Sequence, residues 1–310
     1  MKSAAVGRPA GSRSRHTIAS SAACTVGLVI VELGAGNVRD ISNRILVMGI
    51  LNRTPDSFFD NGRFWSFDDF LNQAERHIVE GADVLDVGGV RAGPGPEVTL
   101  VEELARTSEA VAVLSDRFEV PIAVDTFRGE VAAAAFEAGA SIGNDISGFA
   151  DPTYLPACVA HEAAVIATHI RLGPRIPDPS PVYGDLLSEI DTFLSTRAAW
   201  AERAGIPRNR IIIDAGLDLG KTPSMSASLL RASDQLAGLG YPLLLSASNK
   251  RFLGELVDAD VHERAQATWA AHALGVGLGC RLLRVHDVLE ARRVADLMSV
   301  LLESRTGVLP

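Results

Sequence analysis

Along this chain, short β-branched runs end one after another in a side chain that can bond, ionise or ligate. Asn52, Asp86, Asp125, Asn144 with Asp145, His169, Asp214, Ser246 with Ser248 and Lys250, and Arg284 with His286 and Asp287 close eight such runs. Converging Asp and Asn groups offer acceptors and amide donors, a set suited to a flat heterocycle with N–H and carbonyl edges. Arg284 and His286 stand two apart on one extended run, so they point the same way and can hold an anion such as a phosphate. Asn52 and Asp86 offer oxygens to a Mg²⁺, an ion that keeps several waters and shares phosphate oxygens. Together the groups suit a heterocycle carrying a phosphate leaving group. Blander readings compete at single positions. Asp86 and Asp287 would equally cap or brace a loop, and a lone His169 is more often a satisfied rim histidine than a catalyst.

Such a rim needs a scaffold that brings eight strand ends together. From residue 44 the chain repeats a β-branched run, a polar stop, a loop and an alanine-rich amphipathic stretch, the pattern of βα units on a parallel sheet. Strands are predicted at 45–51, 84–87, 122–124, 142–143, 164–167, 211–213, 243–245 and 282–285. Helices are predicted at 67–80, 100–118, 130–138, 154–160, 186–204, 226–236, 261–274 and 289–302. Gly139 and Gly205 supply helix stops. Eight strands predict an α/β fold, a closed (β/α)8 TIM barrel with its chemistry on the C-terminal strand ends. Ahead of it, residues 27–32 and 39–41 flank Gly34-Ala-Gly-Asn37, a β-hairpin placed to plug the barrel's N-terminal end. The organisation expected is a disordered basic tail over 1–25 and one domain over 26–310.

Composition bounds the partners. The 310 residues are 47% hydrophobic, with a net charge of −9. Lys2, Arg8, Arg13 and Arg15 give the tail +4, so the rest carries −9 − 4 = −13. An acidic body argues against nucleic acid, which is bound by clustered Lys and Arg. No apolar run reaches the ~20 residues of a membrane span. The tail's Ser, Ala and Arg content fits an extension better than a targeting signal, because 26–31 is short for a signal core. Cys24, Cys158 and Cys280 form neither a disulfide framework nor a zinc site, which fits a cytoplasmic protein.

Over residues 40–302 the strand-end motifs resemble the dihydropteroate synthase family. The resemblance rests on Met48-Gly-Ile-Leu-Asn-Arg-Thr-Pro-Asp-Ser-Phe58, Ala82-Asp-Val-Leu-Asp-Val-Gly-Gly89, Val124-Asp-Thr-Phe127, Asn144-Asp-Ile-Ser-Gly148, Asp214-Ala-Gly-Leu-Asp-Leu-Gly-Lys221, Ser248-Asn-Lys-Arg-Phe252 and Arg284-Val-His-Asp-Val288, in family order. It implies transfer of a dihydropterin-methyl group from its diphosphate to 4-aminobenzoate, releasing pyrophosphate. It further implies that Asp125, Asn144, Asp214 and Lys250 line a pterin pocket and that Asn52, Arg284 and His286 hold the diphosphate. Asn52 would also bind Mg²⁺, and Phe58 and Ser248 would enclose 4-aminobenzoate or a sulfonamide-like ligand. Family members are commonly homodimers, and the helices at 261–274 and 289–302 carry apolar residues that suit this.

The sequence also departs from the family. The second loop, Gly-Gly-Glu-Ser-Thr-Arg-Pro-Gly in the family, reads Gly88-Gly-Val-Arg-Ala-Gly-Pro-Gly95, with Ala92 and Gly93 where Thr and Arg are expected. Arg91 stands two positions away. Asn249 replaces an Arg beside Lys250, and Ala215, Asp218 and Leu219 replace Pro, Gly and Phe. Arg53 takes a small apolar position. Losing two charge-assisted contacts of about 1.5–3 kcal/mol each weakens diphosphate binding by roughly a hundredfold or more. The expectation is a dihydropteroate synthase-like protein with weak or no synthase activity. The alternative is an active synthase in which Arg53 and Arg91 restore the charge. A corrinoid methyltransferase barrel fits the Lys250 and Arg284 motifs less well.

Overall fold

The computed structural model describes residues 29–34, 36–53 and 67–305. The tail expected to be disordered lies outside the described residues, and so does Phe58. An antiparallel hairpin of β1 (Ile30–Glu32) and β2 (Val38–Asp40) comes first. Eight parallel strands follow: β3 (Leu46–Asn52), β4 (Val84–Gly88), β5 (Ile122–Asp125), β6 (Ile142–Asp145), β7 (Ala164–Thr168), β8 (Ile211–Asp214), β9 (Leu243–Leu245) and β10 (Cys280–Val285). They close in the order β10-β3-β4-β5-β6-β7-β8-β9. The barrel expected from the βα rhythm is therefore present.

Side-chain alternation divides each strand between two cores. Leu46, Met48, Val84, Ala123, Ile142, Ile166, Ile212, Leu244 and Leu282 point inward and share one cluster with Val31, Leu33 and Ile41 of the hairpin region. The hairpin thus plugs the end of the barrel where the strands begin. Val47, Leu85, Val87, Val124, Val165, Ile211, Ile213 and Leu283 point outward into a second cluster with the helices. Most strands run one or two residues further than predicted, so Asn52, Asp125, Asn144, Asp145 and Asp214 belong to the ladders themselves. Parallel pairing carries a strand past its last apolar residue when the neighbouring strand still offers partners.

The helical layer comprises α1 (Phe67–Val79), α2 (Leu100–Arg117), α3 (Gly129–Glu137), α4 (Tyr154–Ala160), α5 (Leu186–Ala204), α6 (Pro223–Arg231), α7 (Ser233–Ala237), α8 (Arg251–Val257), α9 (Ala265–Gly277) and α10 (Val288–Arg305). Thr99, Asp185 and Thr222 cap α2, α5 and α6 through their side chains. Gly139 and Gly205 take left-handed backbones at φ 112° and 108°, as helix stops require. Two helix predictions need correction. The stretch 226–236 breaks at Ala232, where Ser233 Oγ donates to Leu230 O at 2.8 Å. The stretch 261–274 begins only at Ala265, and α8 precedes it, ended by Asp258 at φ 53°.

Candidate functional site

Strand register sets the first feature of the mouth. Asn52 pairs with Gly88, Gly88 with Asp125, and Asp125 with Asn144, one row across four adjacent strands. Asp86, Asp125, Asn144, Asp214 and Arg284 each stand two residues beyond an inward apolar side chain, Val84, Ala123, Ile142, Ile212 and Leu282. The same two-residue period that fills the barrel with hydrocarbon therefore aims the next residues into the mouth.

Arg284 is the hub. Its Nε donates to Asp86 Oδ2 at 2.6 Å and its Nη2 to Asp125 Oδ2 at 2.7 Å. Asn144 Nδ2 reaches both Asp86 oxygens at 3.3 and 3.4 Å. Burial pushes the Asp125 carboxyl up to about 7, against the pull of Arg284 and with repulsion from Asp86. Burial alone would lower the Arg284 guanidinium, but the two carboxylates outweigh it and raise it. Asp86 is fully buried, and its oxygens accept from Asn144 and Arg284, so it braces Arg284.

A second group gathers on β8, β9 and β10. Asp214 Oδ1 accepts the Gly216 N–H at 2.8 Å, and burial raises its carboxyl, opposed by that bond and by Lys250. Lys250, at the N-cap of α8, donates from Nζ to Leu217 O at 3.0 Å; burial lowers it, while Asp218 and Asp214 pull it back. Asp218 stands where the resembled family has Gly. Its φ of 66° explains that preference, and its carboxylate accepts the Phe252 N–H at the start of α8 at 3.2 Å. Asn249 is likewise left-handed at φ 55°, a backbone Asn adopts more readily than Arg.

His286 and Ser248 meet at the mouth. Ser248 Oγ accepts the His286 N–H at 3.2 Å and lies 3.0 Å from its Nδ1. Burial and the nearby Arg284 and Lys250 push His286 down to about 3. The ring is thus neutral, and its Nδ1 shares a hydrogen bond with the Ser248 hydroxyl.

Several residues take the blander role. His169 lies under Lys221, whose Nζ bonds His169 Nδ1 at 2.9 Å, Gly216 O at 2.8 Å and Leu219 O at 3.0 Å. This buried clamp sets the β8–α6 loop, and a Cβ at Gly216 would strike His169 O at 1.9 Å. Asp287 braces α10 by accepting the Glu290 N–H at 3.1 Å. Asp145 accepts the Ser147 and Phe149 N–H groups at 2.6 and 2.7 Å and shapes a turn. Arg53 is buried with its guanidinium 5.2 and 5.4 Å from the Phe67 and Phe70 ring centres, in the field of Glu109 and Arg106 of α2.

Sequence reading missed Arg175, in the long β7–α5 connection, which bonds the β4–α2 loop through its backbone and side chain. The length of that connection was the available signal, since long loops in compact folds are commonly functional. For Mg²⁺, the described residues hold no group of three or more His, Cys, Asp or Glu able to cage a metal. They do fit an ion held mainly by ligand phosphates and water. Asn52 Oδ1 faces the space a Cβ at Gly88 would enter, 3.8 Å away, with Asp125 Oδ2 3.7 Å from the same point.

Comparison with known proteins agrees with this fold. The family model described as pterin binding enzyme matches residues 48–286. The dihydropteroate synthase of Synechocystis sp. is 40% identical over 252 residues, covering 80% of this chain and 87% of its own. The inactive dihydropteroate synthase 2 of Mycobacterium leprae is 39% identical over 266 residues, covering 83% and 91%. The Yersinia pestis dihydropteroate synthase, solved with a sulfonamide drug, superposes with a TM-score of 0.85 at 32% identity, covering 89% of this chain and 100% of that one. Overall identity is therefore nearly equal to an active and an inactive relative.

Proposed function

The chain belongs to the dihydropteroate synthase family of pterin-binding enzymes, and from that premise we propose that its barrel mouth binds a pterin while performing the synthase reaction weakly or not at all. Asp125, Asn144, Asp214 and Lys250 line the pterin pocket in this reading. Asn52, Arg284 and His286 face the diphosphate of 6-hydroxymethyl-7,8-dihydropterin diphosphate, and Ser248 borders the place of 4-aminobenzoate or a sulfonamide-like competitor.

The reaction breaks the C–O bond from the pterin methylene carbon to pyrophosphate and forms a C–N bond to the amine, which then loses a proton. Preorganised carboxylates stabilise the electron-poor carbon, and donors on the leaving group stabilise the departing charge. A Mg²⁺ shared by Asn52 and the diphosphate would supply further neutralisation of that charge.

One observation carries the expected deficit. The β4–α2 loop presents only Ala92 and Gly93 where a hydroxyl and a guanidinium serve the family. The gap is chemical and not steric, since a Cβ at Gly93 meets nothing within 4 Å. Arg53 stacks on Phe67 and Phe70, His286 is neutral, and Arg284 is bonded to two carboxylates. The second reading, an active synthase, draws on the retained pterin-pocket residues and the 40% identity to the Synechocystis enzyme. Formation of dihydropteroate by the purified protein separates the two. We further propose a homodimer through the exposed Leu274, Leu297 and Val300 of α9 and α10.

A further inference from the structure

Lys250 and the β8–α6 loop are tied to one another twice. Lys250 Nζ donates to Leu217 O at 3.0 Å, and two residues further on the Phe252 N–H donates to Asp218 Oδ2 at 3.2 Å. Residues 217–218 and 250–252 are thus laced together, an ammonium to a carbonyl in one direction and an amide to a carboxylate in the other. The backbone of Asp218 is fixed as well. Its N–H donates at 3.1 Å to the hydroxyl of Ser226, a fully buried residue of α6, and its φ is 66°.

The lacing sets a carboxylate beside the ammonium. Burial lowers Lys250, and of the charges acting on it Asp218 pulls hardest the other way, ahead of Asp214. Arg284 and Asp125, bonded to each other in the mouth, act on the same ammonium, so Lys250 belongs to that group. Arg284 and Lys250 also act together on His286. Arg284 is bonded to Asp86 and Asp125, and Lys250 has Asp218 and Asp214 in its field. An incoming anion therefore meets both cations already partly neutralised. On Lys250, the larger share of that neutralisation by charge comes from position 218, where the family has Gly and no carboxylate.

We propose that Asp218 is a specificity-determining residue of the barrel mouth: its carboxylate is a built-in counter-ion of Lys250, and it makes the mouth discriminate against anionic ligands in favour of uncharged ones. The proposal rests on the reading above that Lys250 lines a ligand pocket. It deepens that reading by adding a cause of weak diphosphate binding separate from Ala92 and Gly93. The discrimination is electrostatic, so it fades as salt is added.

Asp218→Asn isolates the charge, because Asn adopts the left-handed backbone and its Oδ1 still accepts the Phe252 N–H. The chain has three lysines, Lys2, Lys221 and Lys250, so NMR of protein carrying isotopically labelled lysine follows each ammonium through a pH titration, with Lys250→Arg identifying the signal. The Lys250 midpoint is expected to fall by about 0.5 or more in Asp218→Asn. Titration calorimetry on the intact chain then compares inorganic pyrophosphate with the uncharged 6-hydroxymethylpterin. Pyrophosphate is expected to bind Asp218→Asn at least about fivefold tighter than wild type at low salt, the gain shrinking as salt is added, with the pterin changed less than about twofold. An unmoved Lys250 midpoint, or no gain for pyrophosphate, would overturn the proposal. So would an equal change for both ligands at every salt concentration, which would make Asp218 a loop brace. A pyrophosphate gain with no pterin binding by either protein would uphold Asp218 as the counter-ion and instead sink the pterin reading.

Discussion

Asp86 and Arg284 show how the mouth is held at the scale of single residues. Both carry charge out of water, and removing one strands the other. Asp86→Ala takes the acceptor from Arg284 Nε and from Asn144 Nδ2, so we expect a loss of about 3 to 5 kcal/mol in urea unfolding. A variant within 1 kcal/mol of wild type would refute that account. His272 of α9 poses the opposite case, since it is buried and neither ring nitrogen has a partner. Burial lowers it to about 4 from its ordinary value near 6.5. Between those values the unfolded chain takes up a proton the folded chain refuses, so its contribution to stability is lost as pH falls from about 6.5 towards 4. His272→Met should therefore be stabilising by about 1–3 kcal/mol at pH 7 and reduce the acid slope by up to about 1.4 kcal/mol per pH unit. An unchanged slope between pH 5 and 7 in denaturant titrations would refute it. Strand-end residues were legible because a two-residue period places them above the apolar layer. Their pairing was not, because Arg284 lies 198 and 159 residues from Asp86 and Asp125 in the chain.

Elements follow the sequence where one force dominates and depart from it where two compete. Central strands were legible as β-branched runs, but their ends extend as far as their neighbours offer partners. The break at Ala232 was not legible, because it turns on one hydroxyl displacing a helical bond. The β8–α6 loop gives the sharpest contrast among glycines. At Gly216 the backbone is left-handed at φ 63° and a Cβ would meet His169 O at 1.9 Å, whereas at Gly93 it meets nothing. Gly216→Ala is accordingly expected to cost at least about 3 kcal/mol through strain and displacement of the Lys221 clamp, and Gly93→Arg to stay within about 0.5 kcal/mol. Thermal unfolding of the two variants checks this, and equal melting temperatures would contradict it.

At the scale of the molecule, one barrel stands closed at its lower end by the hairpin and dressed at its upper end with charge. The net −9 argued against little more than a nucleic-acid partner, whereas the local arrangement of cations bears on catalysis. His286 carries less charge to the mouth than its type suggested, since its ring is neutral, and the Arg53 guanidinium lies over the Phe67 and Phe70 rings of α1. Arg175, which fastens the β7–α5 connection to the β4–α2 loop, is a contact that only the three-dimensional structure reveals. The fold was thus readable from motifs, and the contacts between loops were not, because they join residues far apart in the chain. The central claim is a barrel that binds pterin but transfers it poorly. It is tested most directly by steady-state dihydropteroate formation from the pterin diphosphate and 4-aminobenzoate, comparing wild type with Ala92→Thr/Gly93→Arg. The account predicts wild-type turnover absent or at least about a hundredfold below the variant, consistent with two lost contacts. Wild-type turnover at an ordinary rate of about 1 to 10 per second, unchanged by the substitutions, would contradict it.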